Sequence, residues 1–155
     1  APTKSTERFE WLLEKAMEYG VQRIQPVWTK RSERKTTKDD RWNRILISAL
    51  KQSRQVWLTE LAHAMSWTEW LESEDVKGLR GFIAHCEPSE KQHFFDQVPK
   101  DAPCWIGIGP EGDFTPSEIE AALNAGVTPV SLGDQRLRTE TAGLAAVQMH
   151  QLSQR

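Results

Sequence analysis

The sequence predicts an α/β domain with a mostly parallel sheet flanked by helices. Segments with the 3.6-residue apolar period of helices alternate along the chain with short apolar runs typical of buried strands. One helix carries clear boundary residues, with Thr115 and Pro116 at its start and Gly126 after its end. The 155 residues are a usual length for one domain with its own core. We therefore expect a single domain over residues 1–155.

The first half of the chain opens with an amphipathic pattern over residues 5–20, in which Gly20 suits the position after a helix end. Beyond it, the pattern predicts, in chain order, a strand, a helix, a short strand and a helix over residues 21–28, 39–53, 56–61 and 66–73. The last of these begins with a capping box from Ser66 to Glu69, which fixes its start.

The second half alternates strands and helices more regularly. In chain order, two strands, a helix, a strand and a final helix are predicted over residues 79–86, 104–109, 115–126, 127–132 and 139–152. Glu118 occupies the third position of the helix that Pro116 opens, where an acid completes a capping box with Thr115. This alternation favours parallel strands joined through helices.

Composition limits the cellular context and the partners. The net charge is −2, so any contact with nucleic acid must come from a local basic face. Cys86 and Cys104 lie in apolar runs, which predicts two buried free thiols in a reducing compartment. No apolar stretch approaches about 20 residues and no signal peptide opens the chain. A cytoplasmic protein without membrane contact is expected, and no metal site.

The stretch "WIGIGPEGDF", residues 105–114, contains a literal G-x-G-x-x-G. Its glycines are Gly107, Gly109 and Gly112. A dinucleotide fingerprint requires free backbone N–H groups at a helix N-terminus to bind pyrophosphate. Here Pro110 has no N–H, Glu111 adds a negative charge, and the predicted helix begins only beyond the glycines. The loop therefore disfavours NAD and flavin dinucleotides, and no Gly-Lys-Ser/Thr follows it as in nucleoside-triphosphatase loops.

The same loop suits a different nucleoside. Its glycines allow backbone groups to approach a ligand closely, and Glu111 favours a cation. S-adenosylmethionine combines an adenine, a ribose and a positive charge. Spacing alone leaves an ordinary strand-to-helix turn as the alternative.

Three motifs of the C-terminal half identify a resemblance. Residues 109–114 read G-P-E-G-D-F, residues 131–133 read S-L-G, and residues 137–142 read L-R-T-E-T-A. They closely resemble the G-P-E-G-G-F, S-L-G and L-R-x-E-T-A motifs of the bacterial 16S ribosomal RNA uridine-N3 methyltransferase family, which belongs to the SPOUT-class, α/β-knot methyltransferases. Residues 15–32 and 41–53 also resemble this family. Asp113 departs from its pattern, because a second glycine is usual there.

The resemblance implies a C-terminal deep trefoil knot (the SPOUT fold), which ordinary rules of chain connection would not predict. It implies S-adenosyl-L-methionine as the cofactor, 16S ribosomal RNA or the small ribosomal subunit as the partner, and a homodimer packed through the last helix. The family normally carries an N-terminal PUA-like RNA-binding domain. None is recognisable in these 155 residues, so the resemblance predicts that this chain is the catalytic domain alone.

The resemblance also carries over a cofactor site in three segments, held mostly by backbone groups. Its predicted residues are His85, Cys86, Glu87, Ile108, Gly109, Pro110, Glu111, Gly112, Leu132, Gly133, Leu137, Thr139, Thr141 and Ala142. A structural histidine is the alternative at His85.

Catalysis is assigned to Arg138 and Glu140. The Arg138 guanidinium would stabilise the negative charge that develops on uridine as N3 loses its proton. Glu140 would hold Arg138, hydrogen-bond the uridine or accept the proton. An acid in the first turn of a helix also complements the helix dipole, which is the structural alternative for Glu140.

A basic segment precedes the second helix. Lys30, Arg31, Arg34 and Lys35 are predicted to contact RNA phosphates, with a solvated loop as the alternative. Two other functions stay open: a knotted RNA-binding or assembly module that has lost catalysis, and another nucleotide-using α/β enzyme. Binding of S-adenosylmethionine as against NAD separates them.

Overall fold

The computed structural model describes residues 1–33 and 35–154. The elements in chain order are α1 (Thr6–Glu18), β1 (Arg23–Ile24), β2 (Val27–Trp28), α2 (Asp39–Ser53), β3 (Glu60–Leu61), β4 (Met65–Ser66), α3 (Trp67–Glu72), a 3₁₀ turn (Glu74–Val76), β5 (Arg80–Ala84), β6 (Gln92–His93), α4 (Phe94–Gln97), β7 (Cys104–Ile108), α5 (Pro116–Asn124), β8 (Thr128–Ser131) and α6 (Thr139–Ser153). Within the described ranges, no helix is long and apolar enough to cross a bilayer.

The main sheet has four parallel strands in the order β6-β8-β5-β7. Ala84, the last residue of β5, is in register with Ile108 in β7 and with Val130 in β8. The C-terminal ends of these three strands therefore lie along one edge of the sheet. Two parallel pairs of two-residue strands, β1 with β3 and β2 with β4, stand apart from it. The predicted α/β class with a parallel sheet and flanking helices is confirmed.

Both faces of the main sheet are covered. Phe82 and Ile83 are fully buried on opposite faces of β5, because side chains alternate along a strand. On one face, Ile83 shares a cluster with Trp67 and Phe114, and on the other, Phe82 packs against Phe94 from α4. A third cluster joins α1 to α2. Since helices and loops cover the faces, the open strand ends are the part of this sheet that a ligand can reach.

Local helix signals are confirmed. At α5, the Glu118 carboxylate accepts a hydrogen bond from the Thr115 N–H (2.9 Å), and Thr115 Oγ1 accepts one from the Glu118 N–H (3.4 Å). The second predicted capping box, at the start of α3, is also formed. Gly126 follows α5 with φ +82°. These contacts join residues close in sequence, which is why the sequence alone revealed them.

The predicted strands in the first half were too long. Residues 21–28 form two short strands separated at Pro26, which has no N–H for a ladder. Of residues 56–61, only Glu60–Leu61 forms a strand, and the side chains of Val56 and Trp57 are 83% and 82% exposed. Elements β4, β6 and α4 were not predicted.

The cysteine prediction was wrong for burial. Cys86 is exposed and Cys104 is partly buried, and both thiols are free. Cys86 is exposed because β5 ends at Ala84, two residues earlier, so the chain has already left the covered part of the sheet.

Candidate functional site

The three predicted cofactor segments lie at one edge of the main sheet. The segments at residues 85–87, 108–112 and 132–142 follow or end β5, β7 and β8, whose C-terminal ends are adjacent. In parallel α/β sheets, ligands bind outside these carboxyl ends. The sheet thus brings together residues that are up to 57 positions apart, from 85 to 142.

The glycine loop is shaped by close packing inside the chain. A Cβ on Gly107 would lie 2.7 Å from the Trp67 ring, so a side chain there would collide with the core. At Gly112, a Cβ would lie 3.2 Å from Cβ of Arg31. Close approach of a ligand was the sequence-based reason for these glycines. The structure adds a second reason, since chain neighbours already fill the space where their side chains would point.

Arg31 stabilises this loop through hydrogen bonds to its backbone. Its Nη1 donates hydrogen bonds to the carbonyl oxygens of Gly112 (2.8 Å) and Phe114 (3.3 Å). The contact joins residues 81 positions apart, so no local sequence pattern revealed it. From the sequence, the Arg31 guanidinium was predicted to contact RNA. The RNA role of Arg31 stays a prediction.

Two of the other predicted basic residues, Lys30 and Lys35, are exposed. Lys30 donates from its backbone N–H to the buried Glu118 carboxylate (2.7 Å) and from Nζ to Ser117 Oγ (2.8 Å). Lys35 is exposed, and Arg34 lies outside the described residues. The positions of Lys30 and Lys35 leave their ammonium groups accessible to a polyanion.

Hydrogen bonds with Lys91 and with Asp113 hold the segment after β5 in place. Lys91 Nζ donates to the carbonyl oxygens of His85 (2.7 Å) and Glu87 (2.8 Å). The Cys86 N–H donates to Asp113 Oδ2 at 2.6 Å, which connects this segment to the glycine loop. Neither Lys91 nor Asp113 was among the predicted site residues, and no local sequence signal marks Lys91.

The third segment is joined to the glycine loop through a buried hydrogen bond. Thr139 Oγ1 donates to the Gly109 carbonyl oxygen at 2.9 Å. Gly133 has φ +122°, a backbone conformation that residues other than glycine rarely adopt. Its N–H donates to Ser131 Oγ (3.1 Å), which closes a tight turn after β8. Leu132, Leu137 and Ala142 are partly buried, and Thr141 is exposed.

Arg138 and Glu140 differ in their surroundings. Arg138 is exposed, and in the described parts of the chain its side chain has no hydrogen bond or ion pair. Glu140 is 92% buried, with Oε1 3.6 Å from Arg8 Nε and with Oε2 lacking a hydrogen-bond partner among residues 1–33 and 35–154. Glu140 thus faces α1, beside a surface cavity of about 310 Å³ that Trp11 also lines. Glu140 forms no ion pair with Arg138 in the described structure. The catalytic roles of both residues stay predictions.

The N-terminus of α5 is already capped by a carboxylate of the same chain. Glu118 Oε2 accepts hydrogen bonds from the Thr115 N–H (2.9 Å) and Thr115 Oγ1 (2.8 Å). Nearby, Glu111 Oε1 accepts one from the Lys4 N–H (2.9 Å). A pyrophosphate would have to displace Glu118 and approach Glu111. This arrangement agrees with the argument against a dinucleotide.

His85 is expected to make stability depend on pH. Partial burial, followed by the nearby Lys91 ammonium, lowers the pKa of His85, although Asp113 and Glu87 oppose the shift. The unfolded chain therefore binds more protons near pH 6, and the free energy of unfolding should fall as pH drops below about 6.5. His150, whose pKa burial also lowers, acts in the same direction. Urea unfolding between pH 7.5 and 5.5 should show a shallower pH slope for His85→Gln, and an unchanged slope would contradict this expectation.

Comparison with known proteins adds an independent finding. A family model described as an RNA methyltransferase domain matches residues 1–151. The chain is 30% identical over 145 residues to the ribosomal RNA small subunit methyltransferase E of Synechocystis, covering 90% of this chain and 47% of that protein.

Two solved structures have the same fold. A probable rRNA-methyltransferase from Porphyromonas gingivalis superposes with a TM-score of 0.93 at 41% identity, covering 99% of this chain and 65% of that one. The ribosomal RNA small subunit methyltransferase E of Neisseria gonorrhoeae, bound to S-adenosyl methionine, gives 0.84 at 30% identity and covers 97% and 62%. This chain therefore spans about half to two thirds of the length of these relatives. By sequence and by fold, the chain belongs to the RNA methyltransferase domain family.

Proposed function

We propose that this chain binds S-adenosyl-L-methionine and transfers its methyl group to N3 of a uridine in small-subunit (16S) ribosomal RNA. The observation that carries the proposal is the meeting of three segments, residues 85–87, 108–112 and 132–142, at the carboxyl edge of one parallel sheet. Membership of the RNA methyltransferase domain family and the S-adenosyl methionine bound to the Neisseria relative support it.

The cofactor would lie against backbone groups of the three segments. The glycine loop is fixed by Arg31 on one side and by Thr139 on the other, so its peptide groups are held ready for a ligand. Bound S-adenosylmethionine supplies an electrophilic methyl on a sulfonium. The bond from sulfur to methyl carbon breaks as the bond from carbon to uridine N3 forms, and the N3 proton leaves to a base or to water.

Arg138 is the residue of this chain assigned to the developing charge on the uridine. Its exposed guanidinium is free to donate to a base oxygen that becomes anionic as the N3 proton leaves. Glu140 is the candidate for a hydrogen bond to the substrate, because Oε2 is unpaired within the described residues. A positioning role through Arg8 is the alternative for this carboxylate.

A deep trefoil knot and a homodimer belong to the same proposal. The knot is supported by the strand order, in which β8 lies between β6 and β5 although it follows β7 in sequence. It is also supported by the return of α6 to the glycine loop through Thr139. The dimer is supported by the partly exposed α6 and by Trp11, which is 43% exposed beside the cavity at Glu140.

The RNA partner would contact the basic segment around Lys30 and Lys35. A PUA-like domain N-terminal to such a chain would add further contacts to the RNA. A ribosomal substrate places the reaction in the cytoplasm.

Ligand choice tests the proposal directly. In calorimetric titrations, S-adenosylmethionine and S-adenosylhomocysteine should bind, whereas NAD and ATP should not, because Glu118 and Glu111 disfavour a polyphosphate at the loop. Tight binding of NAD without S-adenosylhomocysteine would favour another nucleotide-using enzyme. RNA binding with no affinity for any of these nucleosides would favour a non-catalytic assembly module.

Replacing Lys30 and Lys35 together by alanine should weaken RNA binding. Each lost phosphate contact should reduce the slope of log affinity against log salt by about 1. Filter binding of a 16S RNA fragment between 50 and 250 mM salt measures this slope. Arg31→Ala is a poorer test, because it would also release the glycine loop. An unchanged slope in the double variant would mean that the segment is only a solvated loop.

A further inference from the structure

Asp113 has an unusual backbone conformation for a residue with a side chain. Its φ is +62°, in the left-handed region where glycine is favoured and where aspartate is tolerated better than most residues. A glycine is usual at this position in the family that the sequence resembles. The backbone conformation would therefore suit glycine, and the carboxylate must be explained by what it contacts.

The Asp113 carboxylate binds two backbone N–H groups on separate segments. Oδ2 accepts from Cys86, 27 residues earlier, at 2.6 Å, and Oδ1 accepts from Phe114 at 2.8 Å. Oδ1 also lies 3.0 Å from the position that a Cβ on Gly109 would take, so the carboxylate packs closely over the loop. Within the described residues, Cys86 N–H to Asp113 is the hydrogen bond that connects the segment after β5 with the segment after β7.

We propose that Asp113 is a positioning residue, whose carboxylate holds the 85–87 segment against the glycine loop and so presets the spacing of these two cofactor segments. This inference rests on the proposed function, because both segments are assigned to the cofactor. A glycine could adopt the same φ but would leave the Cys86 N–H without this acceptor. The two segments would then have to be ordered during binding, at a cost in affinity.

Two substitutions separate the hydrogen bond from the backbone conformation. Asp113→Asn tolerates the left-handed conformation but has one acceptor oxygen in place of two, so it can accept from only one of the Phe114 and Cys86 N–H groups. Asp113→Gly suits φ +62° and removes both hydrogen bonds. Asp101→Asn, an exposed aspartate outside the site, is the matched control. Thermal melts establish that each variant is folded.

The first measurement uses calorimetry with S-adenosylmethionine. Both Asp113 variants should bind about tenfold more weakly than the unchanged chain, as expected for a lost hydrogen bond to a charged acceptor, and the control should bind normally. If the unchanged chain does not bind the cofactor at all, the proposed function fails rather than the role of Asp113. If the unchanged chain binds and Asp113→Gly binds equally well, the positioning role is wrong.

The second measurement does not involve the cofactor. Partial desolvation of the thiol, and after it the Asp113 carboxylate, raise the pKa of the Cys86 thiol, while Arg136 and Lys91 oppose the shift. Alkylation of Cys86, followed across pH by mass spectrometry of its peptide, should show a lower thiol pKa in Asp113→Asn than in the unchanged chain. Hydrogen exchange at the Cys86 amide should become faster in Asp113→Gly, which removes both acceptor oxygens. An unchanged thiol profile together with unchanged exchange would overturn the contact on which the proposal depends.

Discussion

Arg138→Ala should reduce the rate of methyl transfer by about 10²-fold or more, while the affinity for S-adenosylmethionine changes little. A guanidinium that meets charge only as it develops contributes to the transition state and not to the binding of the cofactor. Initial rates with radiolabelled S-adenosylmethionine and small ribosomal subunits measure the first quantity. Calorimetry measures the second.

The structure makes this substitution a clean test. Arg138 is the N-cap residue of α6, but its side chain makes no capping hydrogen bond, and the bond from the Ala142 N–H goes to its backbone oxygen (2.7 Å). Alanine keeps that backbone oxygen, so α6 should stay folded. Lys100→Ala, which removes an exposed cation elsewhere, is the matched control. Arg138→Lys should restore only part of the rate, because an ammonium lacks the planar fork of donors. A turnover number that Arg138→Ala leaves unchanged would remove this residue from the mechanism.

Local sequence patterns predicted the helices well and the small strands poorly. The starts of α3 and α5 were visible because Ser66 and Thr115 contact acids only three residues ahead. A strand depends instead on a partner that is distant in sequence. Residues 56–58 have the composition of a strand, yet Val56 and Trp57 remain exposed because no described strand pairs with them.

The candidate site was likewise predictable where the signal is local and not where the contacts join residues distant in sequence. Spacing drew attention to its glycine loop, and the resemblance assigned this loop and the two other segments to the cofactor. The side chains that hold these segments together were not recognisable, because Lys91, Thr139 and Arg31 act on backbone carbonyl oxygens, which every residue has. The charge of its segment and the family resemblance assigned Arg31 to RNA, and the fold adds hydrogen bonds from its guanidinium to two carbonyl oxygens of its own chain.

Glu118 illustrates how one residue can serve both a local and a distant contact. The sequence identified it as part of the α5 capping box, and the structure confirms that it accepts hydrogen bonds from Thr115. Its other oxygen accepts from the Lys30 N–H at 2.7 Å, 88 residues away. The side chain is nearly excluded from solvent, with 6% of the residue exposed. Glu118 therefore connects the basic segment to the helix that follows the glycine loop.

Glu118→Ala should lower the free energy of unfolding by about 3 kcal/mol, because the partly buried donors of Lys30 and Thr115 would lose the charged acceptor that they share. For a chain of this size, the melting temperature should fall by about 10 °C. Glu118→Gln retains one acceptor oxygen and similar volume, so it should cost about half as much. Glu120→Ala, an exposed glutamate on the same helix, is the matched control and should stay within about 0.5 kcal/mol of the unchanged chain. The affinity for S-adenosylmethionine should also fall in Glu118→Ala, since release of Lys30 would displace the adjacent Arg31 from the glycine loop. Equal melting temperatures for Glu118→Ala and Glu120→Ala would show that the two connections at Glu118 do not stabilise this side of the site.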